Sequence, residues 1–273
     1  MMRSLWTAAS GMTAQQTNVD TIANNLANVN TTGYKTESAE FKSLLYQNLQ
    51  TKTTTANGER KPVNAQVGLG TRNSSITSHY TQGQFLASDN DLAFAIQGDG
   101  FFAVMGDDGN TYYTRNGNFF ISQNADGGLM LCTSDGNPVI DSLGSPIIFD
   151  AEMEANKITV NADGQFMYPD ETGNPAEIGI SFGIFQFTNA SGLEKTSGGL
   201  LAESEASGIP LNEADGAVTK RSQLKQGYLE GSNVNVATEM VNLITAQRAY
   251  ELNSKAINAS DEMLQQANQL YRA

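Results

Sequence analysis

The 273-residue chain has one cysteine, one histidine and one tryptophan, and 16 lysines and arginines against 29 aspartates and glutamates. A single thiol excludes an intramolecular disulfide framework. Cys132 follows the apolar run Leu129-Met130-Leu131 and is expected to be a small buried residue. The lone His79 leaves no His–His metal pair and no partner for Cys132 by spacing, so an exposed structural side chain is expected there. A formal net charge of −13 argues against nucleic acid and against anionic lipid surfaces, both of which need basic patches. No apolar run is long enough to span a bilayer, and the first residues lack the apolar core of a cleaved secretory signal. The expectation is a cytosolic chain, or one exported by a route that reads no such signal.

Catalytic constellations are equally scarce. Gly98-Asp99-Gly100 and Gly68-Leu69-Gly70 lack the frame of a nucleotide-binding loop. Asn161-Ala162-Asp163-Gly164 and Asp107-Asp108-Gly109-Asn110 resemble pieces of calcium loops, but neither has the glutamate that closes one at the twelfth position, so both are read as turns. No carboxylate pair stands out. The reading is no enzyme, no cofactor and no metal.

The two ends of the chain carry helical repeats. Counting in sevens from Val236 gives Leu243, Tyr250, Ile257, Leu264 and Tyr271, one apolar stripe along a helix. The intervening Met240, Gln247, Ser254, Asp261 and Asn268 are mostly polar, as suits a seam that fixes register. A second seam through Ala249, Leu252, Ala256, Ala259, Met263, Gln266 and Leu270 lies on the opposite side, so this helix needs partners on two faces. A surface helix lying on a globular body is the plainer alternative. At the other end Leu5, Ala8, Met12, Gln15, Val19, Ile22, Leu26 and Val29 repeat at alternating three and four residues. Ser4 is a candidate N-cap and Gly33 a candidate left-handed stop. The polar face of this helix holds Thr13, Gln16, Thr17, Asn18, Thr21, Asn24, Asn25 and Asn28, expected to bond to neighbouring copies or to water. Isolated helices of this kind are marginal in water, so both are expected to order only against each other or against other copies.

Between them the pattern is β. Asp-Gly pairs beginning at Asp99, Asp108, Asp126, Asp135, Asp163 and Asp215 punctuate short runs such as LAFAIQ, GFFAVM, TYYTR, NFFIS and GQFMY. The expected core is Phe94, Phe101, Phe102, Tyr113, Phe119, Phe120, Phe149, Phe166, Phe182, Phe185 and Phe187. Residues 195–220, low in hydrophobicity, are expected to form a surface loop. The predicted class is α+β: discontinuous N- and C-terminal helices pairing as a coiled-coil stem, with an inserted antiparallel all-β domain. The expected divisions are 1–32 (stem helix), 33–85 (extended region, with a polar excursion at about 46–66), 86–220 (β domain), 221–232 (return linker) and 233–273 (stem helix). In the extended region Lys52, Arg60, Lys61 and Arg72 concentrate basic charge that would suit an acidic neighbour.

RSLWTAASGMTAQQTNVDTIANNLANVNTTGYK at 3–35, with Asn24-Asn25-Leu26-Ala27-Asn28 at its centre, resembles the N-terminal signature of the flagellar rod and hook proteins. GSNVNVATEMVNLITAQRAYELNSKAI at 231–257 resembles their C-terminal signature, and AIQGDGFFAV and YTRNGNFF their central motifs. The resemblance covers both ends and much of the middle, with residues 123–220 divergent. It implies an axial structural protein of the basal body whose copies stack helically into a hollow, torque-bearing shaft with the paired helices lining the channel. It implies as partners further copies of the chain, neighbouring rod and hook proteins, and the flagellar type III export apparatus, which takes chains without a cleaved signal. The excursion resembles the segment that separates straight rods from the bendable hook, which points to the distal rod; hook and proximal rod are the other positions in the family, and a secreted adhesin with a helical stem is the alternative outside it. The proposed assembly residues are Leu5, Met12, Val19, Ile22, Leu26 and Val29 against Val236, Leu243, Tyr250, Ile257, Leu264 and Tyr271. Ala249, Leu252, Ala256 and Met263 would meet the next copy.

Overall fold

No proline interrupts either end of the chain, and both ends carry the three–four spacing of an apolar helix face. A computed structural model describes residues 2–50, 65–123, 127–150, 153–170, 174–216, 218 and 220–272. The ends form α1 (Met2–Ala27) and α2 (Val236–Arg272). Ser4 lies inside α1 rather than capping it. The cap on α2 is Asn235, whose Oδ1 accepts from the backbone N–H of Ala237 (3.1 Å) and Thr238 (3.3 Å). Gly33 does take the left-handed conformation (φ +72°), but beyond the end of α1: a turn closed by Thr31 N–H to Asn28 O (3.2 Å) intervenes.

The class is α+β, and the chain divides into two compact units. The first comprises Met1–Ala27, Glu37–Ser78 and Asn235–Ala273, the second Asn28–Thr36 and His79–Val234.

In the first unit the strands are β1 (Glu37–Ser43), β2 (Tyr46–Gln50), β3 (Ala65–Gly68) and β4 (Thr71–Ser78). β1 pairs antiparallel with β4 and β2 with β3. Leu44 N–H to Gly70 O (2.9 Å) and Leu69 N–H to Leu45 O (3.2 Å) join the two pairs into one two-stranded ribbon. Residues 51–64, which include Lys52, Arg60, Lys61 and most of the expected excursion, lie outside the described residues.

The second unit begins with β5 (Phe85–Ala87), β6 (Phe94–Gln97), β7 (Phe101–Met105), β8 (Thr111–Thr114), β9 (Phe120–Gln123) and β10 (Leu129–Cys132). There follow β11 (Ile148–Phe149), β12 (Thr159–Val160), β13 (Gln165–Pro169), β14 (Pro175–Ser181) and β15 (Ile184–Gln186). The last are β16 (Glu194–Lys195), β17 (Leu201–Ala202), β18 (Leu211–Asn212), β19 (Gln223–Gln226) and β20 (Tyr228–Glu230). Six strands form one sheet in the order β16-β17-β8-β7-β15-β18, and smaller sheets join β11-β10-β9, β12-β13-β14, β19-β6 and β20-β5.

The alternation of side chains along β7 divides the core in two. Phe102 and Val104 face a cluster with Phe94, Phe119, Phe166 and Phe182, in which the Phe166 and Phe182 rings lie 4.6 Å apart. Phe101 and Ala103 face a second cluster with Tyr113, Ile140, Leu193 and Leu201. The same alternation corrects the expected core at Phe120: Phe119 takes the buried face, so its neighbour is exposed. Cys132 is buried, and burial pushes its thiol pKa up.

Hairpin turns repeat one geometry at 106–110, 133–137, 141–145 and 161–165. In each, the first residue's N–H reaches the fifth residue's C=O, and the glycine at the fourth returns its N–H to the first. That glycine has φ between +76° and +91° in all four, which explains the recurring Asp-Gly better than calcium would. Among the described residues no cluster of metal-ligating side chains occurs. The described part of residues 195–220 is mostly exposed turn and irregular chain, but short strands tie it into the six-stranded sheet. Leu201 is buried on β17 beside β8, and β18 pairs with β15, because the few apolar residues in this stretch fall where the sheet needs them.

Candidate self-assembly interface

α1 and α2 pack antiparallel in a register that repeats every seven residues. Ser4 Oγ lies 3.4 Å from Ser260 Oγ, and Asn25 Nδ2 donates to Glu239 Oε2 at 3.3 Å. Between them a Cβ on Gly11 would stand 3.0 Å from Asn253 Nδ2. The same step sets Asn18 opposite Ala246, which is buried. The residues turned inward on α2 are therefore Glu239, Ala246, Asn253 and Ser260, beside the Leu243, Ile257 and Leu264 stripe. They stand one residue before Met240, Gln247, Ser254 and Asp261, the positions at which the periodicity suggested a polar seam. Both flanks of a seven-residue stripe fit the repeat, and contact with α1 selects one of them.

Asn25 is fully buried. Its Nδ2 donates to Glu37 O (2.8 Å) while its Oδ1 accepts from Glu37 N–H (2.9 Å), so the side-chain amide pairs with the start of β1 as a neighbouring strand would. Asn73 Nδ2 donates to Thr17 Oγ1 at 2.6 Å, holding β4 to α1 in the same way. The amide face of α1 is thus partly used within the chain. Thr13, Thr17 and Thr21 donate back to the carbonyls of Ala9, Thr13 and Thr17.

The assembly residues proposed from sequence fall into distinct environments. Ile22 is buried, and Leu5, Met12, Val19, Leu26, Leu243, Ala249, Ile257 and Leu264 are half-buried. Val29 belongs to the second unit, beyond α1. Val236 and Tyr250 are exposed, as are Leu252 (66%), Ala256 and Met263 (50%). The Tyr271 side chain lies outside the described residues. Val241, Ile244 and Leu270 are exposed too, and Trp6 on α1 is 75% exposed. An apolar stripe is open along α2, and a mostly apolar groove of about 510 Å³ is lined by Gln16, Val19, Gln247, Tyr250 and Glu251.

In the second unit, polar residues that no local motif marked hold the chain where it comes in from the first. The Glu230 carboxylate, 1% exposed, meets Lys35 Nζ at 2.6 Å and the Arg115 guanidinium at 3.1 Å. Lys35 also donates to Thr81 O and Arg115 to Gly98 O, and the Arg115 guanidinium stands 5.0 Å over the Phe101 ring. Burial pulls the Lys35 ammonium below the ordinary lysine pKa, Glu230 opposing and Arg115 reinforcing the shift. Asn233 gathers neighbouring backbone: its Oδ1 accepts from Thr36 N–H (2.7 Å), and its Nδ2 donates to His79 O (2.8 Å) and Thr81 O (3.1 Å). His79 is exposed, as expected.

Comparison with known proteins gives three family matches in chain order. Residues 5–35 match "Flagella basal body rod protein", 95–168 match "Flagellar hook protein FlgE/F/G D1 domain", and 225–270 match "Flagellar basal body rod FlgEFG protein C-terminal". The flagellar basal-body rod protein FlgG of Borreliella burgdorferi is 44% identical over the full length of both chains. The chain belongs to the flagellar basal-body rod proteins. FlgG of Agrobacterium fabrum is 42% identical over 96% of the rod protein and 97% of its own length, and FlgG of Bacillus subtilis 34% over all of both. Membership makes the rod protein a structural protein and not an enzyme. The N- and C-terminal matches fall on the chain's two helices and the segments beside them.

Proposed function

We propose that copies of this chain polymerise helically into the distal rod of the flagellar basal body, a hollow shaft that carries torque out to the hook and passes exported chains. The observation that carries this reading is the exposed apolar stripe on α2, through Val241, Ile244, Leu252, Met263 and Leu270, on a helix that already has an intrachain partner. A helix with apolar positions on two sides needs a second neighbour.

In the polymer α1 and α2 wind as a coiled-coil stem, with Leu5, Met12, Val19, Ile22 and Leu26 against the Leu243, Tyr250, Ile257 and Leu264 stripe. Ala249, Leu252, Ala256 and Met263 meet the next copy. Proximal rod proteins and the hook lie at the two ends, and the flagellar export apparatus delivers the subunits. The excursion at 46–66 stiffens the shaft through contacts between copies, and its deletion is expected to leave a bendable tube.

The test sets Leu243→Asp and Ile257→Asp, within the stem, beside Leu252→Asp on the open stripe. All three are expected to keep the folded β unit, to stay soluble where the parent chain sediments as polymer, and to abolish swimming. A swimming Leu252→Asp strain would remove the two-sided helix from the account.

A further inference from the structure

Resting on the polymer reading above, we infer that the exposed Trp6 of one copy seats in the α1–α2 groove of the next, with Arg3 pairing to that copy's Glu251. Arg3 and Trp6 lie one turn apart on the same face of α1, and both are exposed. A lone tryptophan open to water is a large apolar surface of the kind that anchors interfaces. The groove presents Val19 and the Tyr250 ring as apolar wall, Gln16 and Gln247 as acceptors for an indole N–H, and Glu251 as an acidic rim.

The groove is closed to the same copy's Trp6. Val19 stands thirteen residues further along α1, about 20 Å at 1.5 Å per residue, and on a different side of the helix. A rigid helix does not fold back over that distance, so knob and groove meet only between copies. A contact between two different patches of one chain is heterologous: a joined pair is left with one free knob at one end and one free groove at the other, and where the rotation does not close a ring the series continues as a helical filament. That is the kind of contact a rod requires. The complementary charges of Arg3 and Glu251 set the direction in which copies add.

The single tryptophan reports on its own site. On polymerising the purified full-length chain, Trp6 emission is expected to shift to the blue and become shielded from acrylamide. Glu251→Arg, an exposed helix position that leaves the fold intact, is expected to raise the critical concentration for polymerisation about tenfold through like-charge contact with Arg3. The Arg3→Glu/Glu251→Arg double variant is expected to restore it. Polymer in which Trp6 stays open to acrylamide, or a double variant no better than the single, would overturn the inference and leave the polymer reading standing. A chain that stays monomeric at every concentration would sink both. A blue shift on mixing monomer with phosphatidylglycerol vesicles, with no such shift in polymer, would give the side chain to a lipid surface and overturn the inference.

Discussion

At Glu230, replacing the carboxylate by the amide of Gln leaves Lys35 and Arg115 buried together without the carboxylate that touches both. Breaking a buried pair on one side costs about 3–5 kcal/mol. Glu230→Gln is therefore expected to lower the urea midpoint of the β unit by that equivalent, whereas Lys157→Gln, which removes an exposed pair with Glu154, leaves it within error. A second residue-scale prediction concerns alkaline pH. Burial pushes the Tyr113 phenol up to about 12, with the Glu203 carboxylate adding to the effect. The folded state keeps a proton that the unfolded chain releases near 10, so stability is complete below that pH and falls as pH rises towards 12. Tyr113→Phe removes this loss, and the gap between mutant and parent midpoints should widen across that window. The lowered Lys35 acts in the opposite sense below 10.5, but it is present in both proteins and cancels in the comparison.

At the scale of elements, the strands were readable from their turns. Asp-Gly after a short apolar run meant a hairpin at Asp108, Asp135 and Asp163, because a residue with φ > 0 is needed there and glycine supplies it. The helices were readable from their spacing. What the spacing did not decide was which flank of the α2 stripe faces α1, since both satisfy a seven-residue repeat and only the opposing helix distinguishes them. Asn25 escaped for a related reason. An amide that completes a strand twelve residues away looks, in one dimension, like any other polar position on a wet face. Glu230, Lys35 and Arg115 lie further apart still, and nothing local marks them. Gly11 carries the element-scale prediction. Its missing side chain lets Asn253 approach, so Gly11→Leu should force the helices apart and block polymerisation. Gly11→Ala sets a gain of about 1 kcal/mol in helix propensity against a contact the Asn253 side chain can yield, and should still polymerise.

Across the whole molecule, stability is expected to be uneven. The second unit has two packed aromatic clusters, whereas α1 and α2 meet through small and polar residues mixed with half-buried apolar ones and leave further apolar side chains open to solvent. Hydrogen exchange on dilute monomer should find strong protection on β7 and β15 and little on either helix, with protection of both helices appearing on polymerisation. Helices already protected in the monomer would contradict this. The Asn233 amide has a further consequence. Because one side chain touches the backbone at 36, 79 and 81 from position 233, three of the four ends through which the second unit is spliced into the chain sit side by side. The segment 79–234 is in effect a cassette, and an unrelated domain with equally close ends is a candidate for transplantation between the ribbon and α2, with the rod growing on undisturbed.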